Sequence, residues 1–503
     1  MSERFYITTA ISYPNGPPHI GHAYEAIAAD AIARFQRSRG RDVRFQTGTD
    51  EHGLKMAQAA RAEGSEPRAF AKKMSRLFRE MCDTLNVSYD RFILTAEPDH
   101  YRASEAIWKA MEESGDLYLD RYEGWYSVRD EAYYDDSELV EGGGGEKLSP
   151  QGTPVEWTVE ESWFFRLSKY QKPLLQLYRD NPGFIRPETR RNEVLRFVEG
   201  GLRDLSISRT SFDWGVPVPG SPGHVMYVWL DALTNYITGL GYPDDTELWR
   251  RYWPANVHLI GKDVVRFHAV YWPAFLMSAG IELPRQIYGH GFLLSRGEKM
   301  SKSVGNVVDP MVLAERFGVD ALRYFLLREV PFGQDGSYSA EAIVARANAE
   351  LANSFGNLAQ RTLSMIYKNL GGILPAPGEA KTDRELLAAV EEATRTEVPE
   401  AFERLAFSIG IEAWLRAVFA CNAYVDAEAP WALRKTDPER MAAVLGTLVV
   451  TIRELTRTIA PIIPMSADKL LSLIDAGERG ASIPQPVPLF PRLELEEEPE
   501  TAA

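Results

Sequence analysis

The spacing of apolar residues near the start of the chain predicts a strand, a loop and then a helix. Residues 5–9 are β-branched and aromatic, and the Pro-Asn-Gly-Pro-Pro run at 14–18 ends that strand. Apolar residues then recur at helical spacing, at Ala23, Ala26, Ile27, Ala29, Ile32 and Phe35. A second strand at 43–47 ends in the polar run 48–53. This strand–helix–strand order predicts a parallel α/β sheet, whose ligands bind beyond the carboxyl ends of the strands.

The pattern changes in the second hundred residues and then returns. Residues 113–210 are acidic and aromatic and include a run of four glycines, which predicts an inserted domain with an exposed loop. Apolar strands resume at 257–260 and 286–288. We therefore expect residues 1–112 and 211–290 to form two halves of the same sheet.

The last third of the chain has the spacing of helices. Apolar residues four and three apart predict an amphipathic helix that faces a core, at Met441, Leu445, Leu448, Ile452, Leu455 and Ile459. Residues 341–367 and 385–424 show similar spacing. We predict a helical bundle over 341–490, followed by a frayed acidic tail at 491–503.

The composition excludes a disordered chain, a small disulfide-stapled fold and a membrane protein. The 503 residues suffice for about two to four domains with real cores. Cys82 and Cys421 are too few and too far apart for a disulfide framework or a cysteine-based metal site. No basic leader precedes an apolar segment, and no apolar run reaches the ~18 residues that span a bilayer. We expect a soluble protein of the reducing cytoplasm.

The formal net charge of −15 is concentrated in two segments. Residues 113–161 hold fourteen Asp and Glu against three basic residues, and 491–503 hold five Glu against Arg492. These segments account for the whole net charge, so the rest of the chain is neutral. The acidic character is therefore no argument against a nucleic-acid partner, which would need local Lys and Arg.

His19 and His22 stand at the predicted strand-to-helix turn, in the sequence PPHIGH at 17–22. Three residues apart, they fall on one side of the first helical turn, beside free backbone N–H groups and the positive end of the helix dipole. Gly21 lets a ligand approach the backbone closely. The motif predicts a polyphosphate site; alternatively, one histidine caps the helix and the other lies in solvent.

Lys299 and Lys302 belong to the sequence KMSKS at 299–303, which is flanked by glycines and hydroxyl residues. A cationic loop of this kind can close on phosphates, each lysine acting as a point charge. A solvated surface loop is the alternative. No GxxxxGK[ST] string occurs in the chain, so an ATP site would not be a P-loop.

Taken together, the two strings resemble the HIGH and KMSKS signatures of the class I aminoacyl-tRNA synthetases. Intervening segments are similar to those of the methionyl-tRNA synthetase family, namely TGTDEHG at 47–53, YEGWY at 122–126, VWLDA at 228–232 and GKD at 261–263. The resemblance extends from residue 5 to the bundle. It implies a Rossmann-like parallel-sheet catalytic domain interrupted by a connective insert, a linking fold at 291–340 that bears the lysine motif, and an α-helical anticodon-binding domain.

The resemblance also implies an activity, which is ATP-dependent activation of L-methionine followed by its transfer to tRNA(Met), elongator and initiator. Methionine's carboxylate attacks the α-phosphate of ATP and pyrophosphate leaves, so catalysis is positioning plus charge stabilisation. His19 and His22 would donate to the transition-state phosphate. Lys302 would hold the pyrophosphate, with Lys299 and Mg²⁺ assisting. By the same resemblance the ATP-binding residues are Gly21, Gly261, Asp263, His290 and Lys302.

The methionine site follows from the same resemblance. The Asp50 carboxylate would meet the ammonium group, together with the backbone around Ala10 and Ile11. The thioether would lie among Tyr13, Trp229, Leu233, Tyr236, Val264 and His268, and such side chains suit a polarizable sulfur. For each aromatic alone, core packing is the alternative. Val264 and Leu233 depart from members that carry Ile and Pro there, which leaves the shape of the pocket open.

Other positions outside this pocket also match the family. Arg209 matches an arginine that the family places near its active site; the alternative is a surface arginine at a domain junction. Asn357 and Arg361 lie at i and i+4 on one predicted helix face, and Pro430 and Trp431 follow another helix. In the family these positions read the CAU anticodon, with the tryptophan stacked on a base. Without the resemblance, Trp431 would be interpreted as core.

Metal content is where the sequence departs most from the family. Many members carry cysteine knuckles that bind zinc in the insert, but here no Cys occurs between Cys82 and Cys421 and no His between His100 and His224. Structural zinc needs N and S ligands, so we expect none. The absence of an appended C-terminal module favours a monomer. Three alternative functions remain: a synthetase for another amino acid such as cysteine, a non-catalytic tRNA-binding paralogue, and a nucleotidyltransferase with the same HxGH loop.

Overall fold

The computed structural model describes residues 3–130, 132–143, 145–295, 298–299, 307–478 and 480–495. Of residues 122, 132, 160, 295, 298 and 299 only the backbone is described. The chain divides into two compact units. The first unit comprises residues up to 29, 39–83 and 87–290, and the second comprises 30–38, 84–86 and 291 onward.

The described strands are short, and most of them precede residue 300. In chain order they are β1 (Arg4–Thr9), β2 (Asp42–Thr49), β3 (Arg91–Leu94), β4 (Leu117–Ser127), β5 (Ala132–Tyr134), β6 (Val140–Glu141), β7 (Lys147–Leu148), β8 (Glu156–Phe165), β9 (Ile185–Arg186), β10 (Leu205–Ser206), β11 (Ser208–Arg209), β12 (Val225–Met226), β13 (Val257–Gly261), β14 (Ile287–His290), β15 (Leu293–Ser295), β16 (Glu298–Lys299) and β17 (Gly336–Tyr338).

Helices occur along the whole described chain. They are α1 (Ile20–Ser38), α2 (Leu54–Ala62), α3 (Pro67–Thr84), α4 (Pro98–Glu113), α5 (Gln171–Asp180), α6 (Glu188–Glu199), α7 (Val228–Thr238), α8 (Glu247–Tyr252), α9 (Trp272–Ser278), α10 (Pro310–Phe317), α11 (Val319–Glu329), α12 (Ala340–Arg346), α13 (Asn357–Asn369), α14 (Lys381–Glu392), α15 (Val398–Glu403), α16 (Phe407–Glu428), α17 (Pro430–Thr436), α18 (Pro438–Ile459) and α19 (Pro464–Glu478). Segments of π-helix occupy Phe267–Tyr271, Ala347–Gly356 and Ala393–Glu397.

A six-stranded sheet forms the centre of the first unit, in the order β3-β2-β1-β13-β14-β9. Each neighbouring pair is parallel. Such sheets are covered on both faces and therefore consist of nearly continuous apolar runs. β1 follows this rule, because residues 5–9 are all buried.

The insert adds an antiparallel sheet to the first unit, in the order β10-β8-β4-β5. Its longest pairing runs from Leu117 opposite Phe165 to Tyr126 opposite Glu156. Residues 113–210 also supply β9, which pairs with β14 at the edge of the main sheet. The predicted insert therefore contributes one strand to the sheet that it interrupts, and its limits stay a prediction.

In the second unit a three-stranded sheet, β16-β15-β17, precedes a set of helices. Arg323 on α11 is fully buried there and donates to Asp30 on α1 at 2.6 Å and to the backbone carbonyls of Leu85, Pro461 and Ile462. Because all these hydrogen bonds converge on one buried guanidinium, Arg323 links four segments of the chain within the second unit.

The structure confirms the fold class and the elements that depended on strong periodicity. The strands predicted at 5–9, 43–47, 257–260 and 286–288 are β1, β2, β13 and β14, and the first helix is α1. The six apolar residues predicted for α18 are all buried. Asp437 caps that helix by accepting the Arg440 N–H at 3.0 Å. In the part of the chain that the structure describes, no helix is long and apolar enough to cross a membrane.

Candidate functional site

The carboxyl ends of four parallel strands meet at one edge of the main sheet. β1 pairs with β2 on one side and with β13 on the other, and the strand order runs outward from β1 to β3 and, in the opposite direction, from β13 to β14. The sheet therefore has a topological switch point between β1 and β13, where open α/β sheets bind their ligands. The residues selected from the sequence at 10–13, 50, 261–263 and 290 all lie at or just beyond these strand ends.

His19 and His22 lie side by side where α1 begins. Their ring centroids are 3.8 Å apart, with the planes inclined at 33°. The Nδ1 of His19 accepts the Gly21 N–H and the Nδ1 of His22 accepts the His19 N–H, each at 3.1 Å. A ring nitrogen that accepts carries no hydrogen, so each neutral imidazole holds its hydrogen on Nε2. The pair therefore offers two Nε2–H donors from one turn of chain.

The backbone of this turn differs from the expectation of free N–H groups. The Gly21 N–H is bonded to the His19 ring, and the His22 N–H donates to the His19 carbonyl at 2.9 Å. A Cβ on Gly21 would lie 2.9 Å from Cε1 of His19, so the glycine is needed for the ring to fold over the backbone. The donors that this turn presents are the imidazoles rather than the N–H groups of Gly21 and His22.

A partly buried carboxyl group that was not selected from the sequence lies beside the predicted ATP-binding residues. Oε2 of Glu25, one turn along α1 from His22, is 2.8 Å from Nε2 of His290. Burial raises the pKa of Glu25, although the bonds from His290 and from the Gly261 backbone act in the opposite direction, and the charge of Asp263 raises it further. Glu25 thus connects α1 to the ends of β13 and β14. Its sequence signal is the i, i+3 spacing from His22.

The turn after β2 places Asp50 against the extension of β1. The Asp50 N–H donates to the Ser12 carbonyl at 2.8 Å, and the Ser12 N–H donates to the Gly48 carbonyl at 3.0 Å. Ala10 is bonded to β13 on the other side, through its N–H. The structure thus brings the buried Asp50 together with the backbone on either side of Ile11, the combination expected to hold an ammonium group.

The apolar residues of the predicted thioether pocket belong to one apolar cluster of the first unit or pack against it. Leu233 and Tyr236 belong to the cluster, and Ala10, Tyr13, Trp229 and Val264 pack against it. His268 joins it through Tyr236, whose hydroxyl oxygen is 2.6 Å from Nε2 of His268. The His268 Nδ1 donates to the Val264 carbonyl at 2.9 Å, so Nε2 accepts from the tyrosine. Burial lowers the pKa of His268 to about 4, although the bond to Val264 acts in the opposite direction. At neutral pH the pocket therefore contains an uncharged imidazole.

Two further aromatic residues pack against the side chains of this predicted pocket. The ring of Phe267 stacks on Trp229 with centroids 3.8 Å apart and planes at 6°. The ring of His258 stacks on Tyr236 at 4.1 Å, and burial lowers the pKa of His258. Neither residue was selected from the sequence, because each belongs to an apolar run that any core strand or helix would show.

Arg209 is fully buried, so the alternative of a surface arginine is wrong. Its guanidinium carbon lies 4.5 Å from the ring centroid of Tyr133, 4.7 Å from that of Tyr227 and 5.5 Å from that of Tyr126. It also donates to two backbone carbonyls of its own segment. Tyr227 directly precedes α7, so Arg209 packs behind the start of the helix that carries Trp229. Its assignment near the active site stays a prediction.

The predicted lysine loop belongs to the second unit and lies mostly outside the described residues. The backbone of Lys299 pairs with Leu294 between β16 and β15. Lys302 lies outside the described residues. The roles assigned to both lysines therefore depend on the sequence.

The predicted anticodon-reading residues lie together on the second unit. Asn357 and Arg361 are both exposed on α13, and the Arg361 guanidinium carbon lies 5.3 Å from the ring centroid of Trp431. Trp431 is 48% exposed, so it is not a core residue, whereas Pro430 is buried as the first residue of α17. A cation beside a half-exposed indole provides a surface on which an unpaired base can stack.

Within the described residues, no group of three or more His, Cys, Asp or Glu side chains is placed to hold a metal ion. The expectation of a chain without structural zinc rests on its Cys and His positions and stays a prediction.

Comparison with known families and proteins gives a consistent result. The family model described as tRNA synthetases class I (M) matches residues 5–363, and that of the anticodon binding domain of methionyl tRNA ligase matches residues 374–487. A methionine–tRNA ligase of Brucella suis biovar 1 is 57% identical over 97% of this chain and 98% of its own length. One of Mycobacterium bovis is 56% identical over 99% of both chains.

Solved structures are similar over the same extent. The Mycobacterium tuberculosis methionyl-tRNA synthetase bound by methionyl-adenylate matches with a TM-score of 0.94 and 55% identity, covering 97% of this chain and 100% of that one. The apo form of that synthetase matches with a TM-score of 0.88 and 51% identity over 99% of both chains. With its parallel sheet, its paired histidines at the switch point and its helical C-terminal region, the chain belongs to the methionine–tRNA ligases, a family of class I aminoacyl-tRNA synthetases.

Proposed function

We propose that the chain charges tRNA(Met) in two steps, first forming methionyl-adenylate and pyrophosphate from L-methionine and ATP and then transferring methionine to the 3′ end of the tRNA. The observation that carries this proposal is that the His19–His22 imidazole pair and Asp50 both lie at one edge of the main sheet, where β1 and β2 end. The solved relative that holds methionyl-adenylate supports it, since that molecule joins the two ligands.

In the first step an oxygen of the methionine carboxylate bonds to the α-phosphorus of ATP. The bond from that phosphorus to the bridging oxygen breaks, and pyrophosphate leaves with the electron pair. Negative charge grows on the α-phosphoryl oxygens, where the Nε2–H groups of His19 and His22 donate. No protein nucleophile is needed, because positioning and charge stabilisation suffice.

Methionine recognition combines a carboxylate that binds the ammonium group with apolar and aromatic side chains that surround the thioether. Asp50 holds the ammonium group, aided by the backbone near Ala10 and Ile11, and fixes the amino acid's orientation. The thioether lies among Trp229, Leu233 and the remaining pocket side chains, where neutral His268 and Tyr236 supply the polar atoms. Because one methylene is worth only ~1–3 kcal/mol in such a pocket, these polar atoms add selectivity that apolar contact alone lacks.

ATP is held at the ends of β13 and β14. Gly261 and Asp263 hold the ribose, and His290 lies beside them, oriented by Glu25. The cationic loop with Lys299 and Lys302 holds the departing pyrophosphate as point charges. Mg²⁺ enters with the substrate as MgATP, since this ion binds through substrate phosphates more than through protein cages.

The second unit reads the tRNA. Asn357 and Arg361 bond base edges of the anticodon, and Trp431, preceded by Pro430, provides the stacking surface. Elongator and initiator tRNA(Met) are both substrates, because both carry the CAU anticodon. We further infer a cytoplasmic, monomeric enzyme without structural zinc, and metal analysis of the purified chain should find zinc well below one equivalent.

The test is ATP–pyrophosphate exchange measured with each of the twenty amino acids in turn. We expect exchange with methionine far above that with any other amino acid. If no amino acid supports exchange, the chain is a non-catalytic tRNA-binding paralogue or a nucleotidyltransferase. If another amino acid is preferred, the chain is a synthetase for that amino acid. Either result would overturn the proposal.

A further inference from the structure

A buried His–Asp–His group lies behind the proposed methionine pocket. Asp231 on α7 is completely buried, with one carboxylate oxygen 2.7 Å from Nδ1 of His52 and the other 2.6 Å from Nε2 of His100. No described atom of this group belongs to the sites assigned above. Burying a carboxylate costs several kcal/mol unless it is fully paired, so its presence calls for a role.

The position of Asp231 on α7 indicates which face of that helix the His–Asp–His group contacts. On α7, Trp229, Leu233 and Tyr236 recur four and three residues apart and form the pocket face. Asp231 and Thr238 lie on the opposite face of the same helix, turned by about 180° at 100° per residue. The His–Asp–His group therefore contacts α7 on the helix face opposite the proposed pocket.

The other end of the group is the turn that carries Asp50. His52 is two residues beyond Asp50, and the His52 N–H reaches an Asp50 carboxylate oxygen at 3.4 Å. The His52 ring is also fixed at Nε2, which is 2.9 Å from the Tyr101 hydroxyl, and it lies edge-on to Trp214. Movement of this ring would thus move the carboxylate that is proposed to bind the ammonium group.

The hydrogen-bond partners leave little freedom in the group. Burial alone would raise the pKa of Asp231, but the charge of His52 and the bonds from His100 and His52 outweigh it and lower the pKa to about 2. Asp231 therefore only accepts. The Thr238 hydroxyl oxygen lies 3.0 Å from Nδ1 of His100 and 3.0 Å from the Thr234 carbonyl oxygen. His100 thus bridges α4 and α7 through contacts at both of its ring nitrogens.

We infer that Asp231 is a positioning residue for the amino acid: through His52 and His100 it sets the distance between the Asp50 turn and the pocket face of α7. The inference rests on the proposed function. Methionine would contact Asp50 through its ammonium group and the pocket face of α7 through its thioether, so its binding depends on this distance. ATP, bound at the ends of β13 and β14, does not depend on it. Loss of the group should thus weaken methionine binding and leave ATP binding unchanged.

The experiment is methionine-dependent ATP–pyrophosphate exchange by the full chain carrying Asp231→Asn, which keeps the size of the side chain but removes its charge. We expect the KM for methionine to rise about tenfold while the KM for ATP stays within about twofold. The matched control is Asp383→Asn, which alters another fully buried carboxylate, bonded to Tyr424 and Arg440 in the second unit. It should leave both constants unchanged.

If Asp231→Asn does not fold, Thr238→Val tests the same group by removing only the hydroxyl that is hydrogen-bonded to Nδ1 of His100. A smaller rise in the methionine KM with an unchanged ATP KM supports the inference. An unchanged methionine KM, or equal rises for both substrates, overturns it. Wild-type chain that shows no methionine-dependent exchange would instead overturn the proposed function, so the two failures are distinguishable.

Discussion

Nε2 of His290, at the end of β14, lies 2.8 Å from a carboxylate oxygen of Glu25 on α1. This contact joins the helix of the imidazole pair to the strand ends assigned to ATP. We predict that Glu25→Gln raises the KM for ATP about fivefold or more, since the amide keeps the size of the group but loses the charge that orients His290. Initial rates of pyrophosphate exchange at varied ATP measure this.

The control for this variant is Glu63→Gln, which changes an exposed carboxylate paired with Lys73. Exposed pairs of this kind contribute little, so its constants should match the wild type. A Glu25→Gln enzyme with unchanged ATP dependence would contradict the assignment of Glu25 to the ATP site.

The imidazole pair is expected to act on the transition state alone. We predict that His22→Ala lowers the rate of adenylate formation by about 10²–10³-fold, the usual cost of removing one donor to developing charge. The methionine KM should change less than about twofold, because the imidazole stabilises phosphoryl charge that increases in the transition state and is not assigned a contact with bound methionine. Single-turnover kinetics of adenylate formation provide the measurement. The control is His224→Ala, a histidine bonded to Ser208 in the first unit, and loss of activity there would show that the effect is not specific.

The sequence located the sheet edge because its signals are strong and local. Strands β1, β2, β13 and β14 are short segments that contain buried apolar residues, and parallel strands bring their carboxyl ends to one edge whatever the loops do. The sequence alone therefore predicts His19 and Asp50 at one edge of the sheet. The helical last third followed in the same way from its four-and-three spacing.

Other features could not be predicted because they depend on contacts between distant segments. A glutamate on an amphipathic helix usually faces solvent, and only its packing against His290, 265 positions along the chain, distinguishes Glu25. Phe267 looks like any core aromatic until its ring is found stacked on Trp229. Gly21 is expected to admit a ligand, and the structure adds that it makes room for the His19 ring.

The buried pocket histidine gives a prediction about pH. Burial lowers the pKa of His268 to about 4 from its ordinary 6.5, although the Val264 carbonyl acts in the opposite direction. Between these values the unfolded chain binds a proton that the folded chain does not, so stability falls as the pH falls through this window and is fully present above it. From pH 7 to pH 5 the linked loss is about 2 kcal/mol.

We therefore expect His268→Gln to lose less unfolding free energy than the wild type between pH 7 and pH 5, by about this 2 kcal/mol. Urea titrations of both chains at the two pH values measure the difference. Equal losses in the two chains would mean that His268 is protonated in the folded state, in conflict with its bond from Tyr236.

The cationic loop should act late in the first step. We predict that Lys302→Ala slows adenylate formation about 100-fold, because the lysine neutralises charge that develops as pyrophosphate departs. Equilibrium binding of methionine should be unaffected. Rapid quenching of adenylate formation and methionine titration measure the two quantities, and Lys381→Ala, an exposed lysine paired with Glu385, is the control. A comparable loss of methionine affinity would contradict the role given to Lys302.

The half-exposed indole of Trp431 should separate tRNA charging from amino-acid activation. Stacking of a base on an aromatic ring contributes ~1–3 kcal/mol, so Trp431→Ala should lower kcat/KM for tRNA about ten- to hundredfold. Pyrophosphate exchange should stay near the wild-type rate, since that reaction requires no tRNA. Trp157→Ala is the matched control, because Trp157 is 55% exposed on the insert and has no part in the proposal. Equal loss of charging and exchange would show that Trp431 supports the fold of its unit instead of contacting the anticodon.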